Sequence, residues 1–457
     1  MSNKVPFYPM YDYLTKTEKK PFPNEVKHAA KRHILNTIGV MIAATNMEYV
    51  HSIHEFADKS EKGKCTIVGV GSGYSPATAA LYNGIAAHSL DMDDCSCTMN
   101  THPSAVFVPA LLAVAEYVGA SGKQFLDAFI RGTVIGTYIG DYCGDLVHKA
   151  GWHPTGILMP PAAAIACGIL LNFNEEQFIN LFGAAASLSC GLRANFGSDT
   201  KALHVGIAAQ NAVLTALFGT KGMTSSKNAI AGYEGFLSQF CGVEYDREKA
   251  EQIASGFNKY EILSPGYILK QFPSCSNNHQ ATCALYDILE EYPDIKACDI
   301  KKIDIYLTKQ ALVELVSPYP TTPSEARFSP GFHMALALLG EKIAPKNFTN
   351  EVINWPEVQR IIHATNLIHA PEFDKIPGVT RWPACVVLKL NDGREIRKMR
   401  IYADGDMACP FTDEKLKEMY QDCARDRFNE SIIEKQCDVI FNIDAIADIH
   451  ELTTLLI

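Results

Sequence analysis

Asn24-Glu-Val-Lys-His-Ala-Ala-Lys-Arg-His-Ile-Leu-Asn-Thr-Ile-Gly-Val-Met-Ile-Ala-Ala44 decides the fold. Val26, Ala30, Ile34, Ile38 and Met41 recur at spacings of three and four, the period of a helix with one buried stripe, and Asn24 is a helix-start residue. The theme repeats down the first half of the chain. Residues 103–118 obey the same period, Ser121-Gly-Lys-Gln124 has capping-box spacing and opens a helix through about Tyr138, and Asn174-Glu-Glu-Gln177 opens another toward Leu188. A further helix is predicted over 205–218. Small-residue faces at 162–166, 184–186 and 208–209 let helix axes approach closely, so a tight all-α domain is expected over 1–263.

The texture changes after about Leu263. Lys302-Ile-Asp-Ile-Tyr-Leu307 alternates like a strand, and Cys385-Val-Val-Leu-Lys-Leu390 and 394–402 flank Asn391-Asp-Gly393, a strong hairpin signal. Helical stretches at 325–339 and 353–364 lie between them. The prediction is a smaller α+β unit over 264–403. Residues 404–457 read as helical again, at 413–420 and 446–456, and are expected to complete the first domain. The fold class is thus mainly α.

Length and composition agree with this. At roughly 150 residues per domain, 457 residues predict two or three folding units. Hydrophobic residues make up 47% and charged residues 20%, as in ordinary soluble globules. Lys plus Arg is 41 against 51 Asp plus Glu, a formal charge of −10 with no basic run, which disfavours a nucleic-acid partner. The N-terminal residues carry no secretory or transit pattern, and the apolar stretches at 106–114 and 160–171 fall short of the roughly 20 residues that span a bilayer. A cytoplasmic protein with no membrane partner is expected, its 14 cysteines serving as reduced thiols.

Chemistry concentrates at breaks between helices. His102-Pro103-Ser104 and His153-Pro154-Thr155 each precede a long apolar helix; Pro suits the first turn, and the free N–H groups there attract anions. An imidazole so placed can cap its helix, or can move protons beside a bound carboxylate. His88-Ser-Leu-Asp91-Met-Asp93-Asp94 is dense in acid: Asp91 is the candidate to orient His102, the three acids could hold a hard cation, or they form a solvated helix end. Cys95 and Cys97 with His102 suggest zinc only loosely, because no second Cys pair completes the set, so no metal is expected. Lys201 and His204 precede the helix predicted at 205–218, and Lys270, Cys275 and His279 sit at the domain junction, where an ammonium group pairs with carboxylates. Gly69-Val-Gly71-Ser-Gly73 lacks the ending of a P-loop and the last glycine of a dinucleotide fingerprint; it reads as a turn.

Taken in order, these pieces resemble the MmgE/PrpD lyases, which include 2-methylcitrate dehydratase, cis-aconitate decarboxylase and iminodisuccinate epimerase. The resemblance rests on Phe22-Pro-Asn-Glu-Val, the 83–94 stretch ending Asp91-Met-Asp-Asp94, His102-Pro-Ser-Ala, Gly151-Trp-His-Pro-Thr155, Lys201-Ala-Leu-His204-Val-Gly, Lys270-Gln-Phe-Pro273, Glu325-Ala-Arg-Phe-Ser329 and Asp392-Gly-Arg394. It implies a helical domain built from both chain ends, an α+β lid, a homodimer and a cofactor-free site at the junction. It implies catalytic roles for Asp91, His102, His153, Lys201 and Lys270, and substrate contacts from Asp94, Cys95, His204, Cys275, His279 and Tyr319. Cys95 stands where a Thr is usual, and Cys275 where the animal decarboxylase has His. The expected activity is acid–base lyase chemistry, dehydration or decarboxylation, on a small di- or tricarboxylate. The alternatives are epimerisation of a dicarboxylate such as iminodisuccinate, a metal-dependent hydro-lyase using the acids and Cys95/Cys97, and a non-catalytic carboxylate-binding or scaffold homo-oligomer.

Overall fold

The computed structural model describes residues 5–17, 21–57, 59–257, 260–376 and 383–457. Helices dominate. α1 (Asn24–Ala44) buries the stripe read from Val26 to Met41, and α2 (Pro76–Ser89), α3 (Ser104–Val118), α4 (Gly122–Lys149), α5 (Pro154–Leu170) and α6 (Thr200–Gly219) join it in one core. Both capping boxes form. Gln124 N donates to Ser121 Oγ at 3.3 Å while Ser121 N donates to Gln124 Oε1 at 2.9 Å, and Asn174 and Gln177 exchange the same pair at 3.0 Å each.

Close helix approach comes from glycine. A Cβ on Gly84 of α2 would lie 2.8 Å from Gly206 Cα of α6, so these helices cross at backbone distance. α6 is long and apolar enough to cross a membrane by composition, but 61% of that window is inside the protein, as befits a core helix. α4 runs eleven residues past its predicted end near Tyr138 and carries Gly132, Gly136, Gly140 and Gly144 on one face. Phe107 and Ala166 cover Gly132, and Met99 fills the face from Gly136 to Gly144: a Cβ on Gly140 would meet its Cγ at 2.4 Å and its Cα at 2.8 Å. Ala is the better helix former by about 1 kcal/mol, yet Gly140→Ala is expected to destabilise, because overpacking against backbone costs about 1–3 kcal/mol. A urea midpoint equal to or above wild type would show that the Met99 segment is not seated there.

Beside two two-stranded pairings, the largest sheet among the described residues has four strands in the order β2-β1-β3-β4: β1 (Ile300–Leu307) pairs parallel with β2 (Thr365–His369) and antiparallel with β3 (Ala384–Leu390), which pairs antiparallel with β4 (Glu395–Arg400). Asn391-Asp-Gly393 makes the β3–β4 turn as read, with Gly393 at φ +90°, where a side chain would be strained. The buried apolar residues fall into two main clusters. One draws on Phe7 to Leu269 and Phe411 to Leu456, the other on Phe272 to Ala403. No two of the fourteen cysteines are paired.

Three predicted helices differ from what forms. The 325–339 stretch breaks into Pro323–Ala326 and Pro330–Leu338, because Pro330 has no N–H and Ser329 caps the second piece. The 353–364 stretch starts at Pro356 for the same reason, after one turn at Asn350–Ile353. Over 446–456 only His450–Thr453 is helical; Glu451 Oε1 accepts from the N–H groups of Ala447 and Asp448 and starts the turn late. α6 also begins five residues before the predicted 205, which places Lys201 and His204 on its first turns.

Candidate active site

α2 ends at Ser89, and the chain turns through the acid-rich stretch before Cys95–Ser96 pairs antiparallel with Tyr267–Ile268. That short pairing brings Lys270 beside Asp91: its Nζ donates to Asp91 Oδ1 at 2.5 Å and to the Asp91 carbonyl at 2.8 Å. Lys201 arrives from α6 and donates to Oδ2 at 2.7 Å. One buried carboxylate therefore bridges two ammonium groups from segments 69 residues apart. Asp91 adopts φ +49°, a left-handed conformation that Asp tolerates better than most residues and that the two lysines hold in place. Lys201 also lies over the rings of Phe196 and Phe328, 5.1 and 5.3 Å from their centroids.

Asp93, rather than Asp91, orients His102. Its Oδ2 is 2.8 Å from His88 Nδ1 and 3.2 Å from His102 Nδ1, and the latter also lies 3.0 Å from the Asp94 carbonyl. With Nδ1 engaged, Nε2 of His102 is left for a ligand. His153 stands at the N-terminus of α5 as read; its Nδ1 is 3.2 Å from His204 Nδ1 and its buried Nε2 has no partner among the described residues. The His88 ring lies 4.4 Å from that of His102 and 5.9 Å from that of His153. Asp94 is spent structurally: it accepts from Ser104 N at 3.1 Å and Ser104 Oγ at 2.5 Å, closing the start of α3, so that helix end is already occupied by an anion.

Burial and neighbours set the protonation states. Burial acts to raise the Asp91 carboxyl, but Lys201 and Lys270 outweigh it and hold it well below the usual carboxylate range. Asp93 is likewise lowered, against burial, by His88 and His102. Burial, with help from Lys270 and His88 and against Asp93, pushes His102 down to about 3. Burial and Lys201 push His153 well below its ordinary value, and burial, His88 and Lys201 take His204 to about 4. At neutral pH the centre thus holds uncharged imidazoles between ionised carboxylates, and a Lys270 ammonium that Asp91 raises further against burial.

The cavity at this centre is lined by Asp91, Cys95, His102, His153, Lys201 and Cys275 among the residues singled out from sequence. Lys270 touches Asp91 from behind the lining. The others do not reach it. Asp94 faces Ser104, His204 stands behind His153, His279 is buried against Phe272 with rings 5.2 Å apart, and Tyr319 is 58% exposed and stacks on His363. Burial pushes the Cys275 thiol up to about 12, so it lines the site as a neutral group. The lining residues that escaped the sequence reading are Asn100, Thr101, His148, Phe196, Ser276 and Glu314, and Phe328 belongs to the Glu325–Ser329 stretch quoted above without a site role. A wider hollow by Ser187, Ser225 and Tyr233 has, among the described residues, Glu234 as its one titratable lining group besides that phenol, and lacks such convergence.

His88, Asp91, Asp93 and His102 could offer donor atoms within 4.8 Å of one another, the set a divalent ion would use; Cys97 is not among them. Against that fit, both oxygens of Asp91 already face ammonium groups, which a cation would have to displace.

Fold and site together define a helical protein with a buried imidazole, ammonium and carboxylate centre. The chain belongs to the MmgE/PrpD family: the profile of the MmgE/PrpD N-terminal domain matches residues 10–248 and that of the C-terminal domain residues 272–442. A cis-aconitate decarboxylase-like protein of Aspergillus oryzae is 24% identical, covering 97% of this chain and 96% of its own. The cis-aconitate decarboxylase of Homo sapiens is 25% identical over 95% of this chain and 90% of its own, and that of Aspergillus terreus 24% over 95% and 92%.

Proposed function

We propose that the protein is a cofactor-independent lyase that dehydrates or decarboxylates a small di- or tricarboxylate by acid–base chemistry. The observation that carries this reading is the convergence of His102, His153 and Lys201, with Lys270 behind Asp91, on one cavity, Asp91 and Lys270 being 179 residues apart in the chain. Decarboxylase names among the relatives support the reaction class. Lys201 supplies the charge that receives a substrate carboxylate. In dehydration a neutral imidazole takes the proton from the carbon next to that carboxylate, and the neighbouring hydroxyl leaves as water with a proton from an ammonium or imidazolium group; in decarboxylation CO2 leaves, its bonding pair stays on carbon, and an imidazolium or ammonium group delivers a proton there. Either route builds negative charge on the carboxylate-bearing fragment, and a preorganised donor at such a charge is worth roughly 3–4 kcal/mol.

The test is incubation with 2-methylcitrate, cis-aconitate, citrate and iminodisuccinate in D2O, followed by NMR. Loss of water or of CO2 is the expected result. Deuterium exchange without loss would move the assignment to an epimerase, and inertness toward all of them to a binding protein. Chelation that abolishes turnover would favour the metal-dependent reading at His88, Asp91, Asp93 and His102.

A linked prediction concerns protons. His102 and His153 are held uncharged in the free protein by burial, and an arriving polyanion stabilises their imidazolium forms. Binding is therefore expected to take up protons above about pH 3, where His102 is already uncharged in the free protein, and affinity to fall as pH rises from there until the imidazoles of the complex lose their protons. Calorimetry in buffers of different ionisation enthalpy reads the uptake; zero uptake or net release would exclude imidazole charging on binding.

A further inference from the structure

Glu314 is a carboxylate in the wall of the cavity that Lys201 and its partner Asp91 also line. It ends the Lys309–Glu314 helix, and its side chain is only 14% exposed. Two amides donate to it, Gln310 Nε2 at 2.5 Å on Oε1 and Asn277 Nδ2 at 2.6 Å on Oε2, and His148 Nε2 lies 3.3 Å from Oε1. His148 comes from the last turn of α4, where Arg193 Nη1 lies 3.3 Å from its ring. Burial alone would raise the carboxyl, but these donors outweigh it and hold it below its ordinary value, so the wall carries a fixed anion at neutral pH.

Asp91 and Asp93 do not present the same obstacle to a ligand. Asp91 is neutralised by Lys201 and Lys270, and Asp93 is closed off behind two imidazoles. Among the described residues Glu314 faces one imidazole and two neutral amides, with no ammonium group on it and the Arg193 guanidinium one step removed, 3.3 Å from His148 Nε2. Like charges brought together in a desolvated site repel strongly, whereas a protonated amine or a hydroxyl would pair with such a group.

We propose that Glu314 is a specificity-determining residue: it excludes a third carboxylate from its end of the cavity and selects a dicarboxylate that presents a hydrogen-bond donor there, a protonated amine foremost. This rests on the carboxylate-site reading above and narrows it, away from the tricarboxylate that the names of the relatives carry.

The test needs no turnover. Kd is measured by calorimetry at pH 7 for propane-1,2,3-tricarboxylate, succinate and aspartate on the full chain, on Glu314→Gln and on His148→Gln. Gln at 314 keeps the shape and an acceptor but removes the charge. Expected are a gain of at least roughly tenfold for the tricarboxylate in Glu314→Gln, the factor that about 1.4 kcal/mol brings, little change for succinate, and weaker aspartate binding. His148→Gln retains the charge and is expected to show no tricarboxylate gain. A tricarboxylate gain of the same size in both variants would make the pair a mere tie between segments and overturn the proposal. So would unchanged ratios in Glu314→Gln with binding intact. Absence of binding by the wild-type chain to all three probes would instead overturn the carboxylate-site reading, and this proposal with it.

Discussion

His102→Ala and His153→Ala are each expected to lower kcat by at least roughly a hundredfold with the fold intact. The two imidazoles do not do the same work. His102 is aimed by Asp93 through Nδ1 and shares that carboxylate with His88, so Asp93→Asn should reproduce much of the His102→Ala loss by freeing the ring to rotate and changing its tautomer. Among the described residues His153 meets no carboxylate; it leans on His204 and keeps a buried Nε2 that none of them partners, an atom that is costly to bury unless a ligand uses it. His204→Ala should therefore act through the His153 position and cost less than His153→Ala itself. The readouts are kcat and KM on whichever substrate the D2O screen identifies, with thermal melts to check folding. Near-normal turnover in either alanine variant would remove that residue from the chemistry.

The helical body, the hairpin at Asn391-Asp-Gly393 and the two His-Pro helix starts were legible because each is a local signal: a period, a turn dipeptide, a residue that lacks an N–H. The convergence of Asp91, His102, His153 and Lys201 was legible for a different reason, since their segments occur in a recognisable order along the chain. What local reading could not supply is direction. Asp91 and Asp93 stand two residues apart in an irregular turn, and only the left-handed backbone at Asp91 decides that one faces the lysines and the other the imidazoles. Asp94 looks like a third site acid in sequence, but it is turned onto Ser104. His148 and Glu314 are unremarkable singly, one near the end of a long helix and the other ending a six-residue helix, and they meet only through tertiary packing. Tyr319 was assigned by resemblance, and packing lays it on His363 at the surface.

Asp91→Ala is expected to be the most damaging single change, to stability as well as to turnover. It would leave Lys201 and Lys270, both nearly inaccessible to water, without the carboxylate that neutralises them. Removing one partner of a buried ion pair costs about 3–5 kcal/mol, because the remaining charge stays desolvated. The pH dependence of the intact cluster follows from the two directions of shift. Asp91 is depressed, so its contribution is present at neutral pH and is lost only as pH falls through its low folded value; Lys270 is raised, so its contribution is full below the ordinary lysine range and is lost as pH rises through its folded value. The cluster is thus stabilising across the neutral range, and a melt of the variant at pH 7 reads nearly the whole effect. If burial of unpaired charge is the cause, adding Lys270→Met should recover part of the loss, since an apolar side chain of similar length removes the charge that Asp91 had balanced. It should recover none of the activity, because Asp91 would still be missing from the centre. A double variant no more stable than Asp91→Ala would show instead that the carboxylate matters for the backbone turn at residue 91, and would trace the damage to that strained conformation rather than to the lysines.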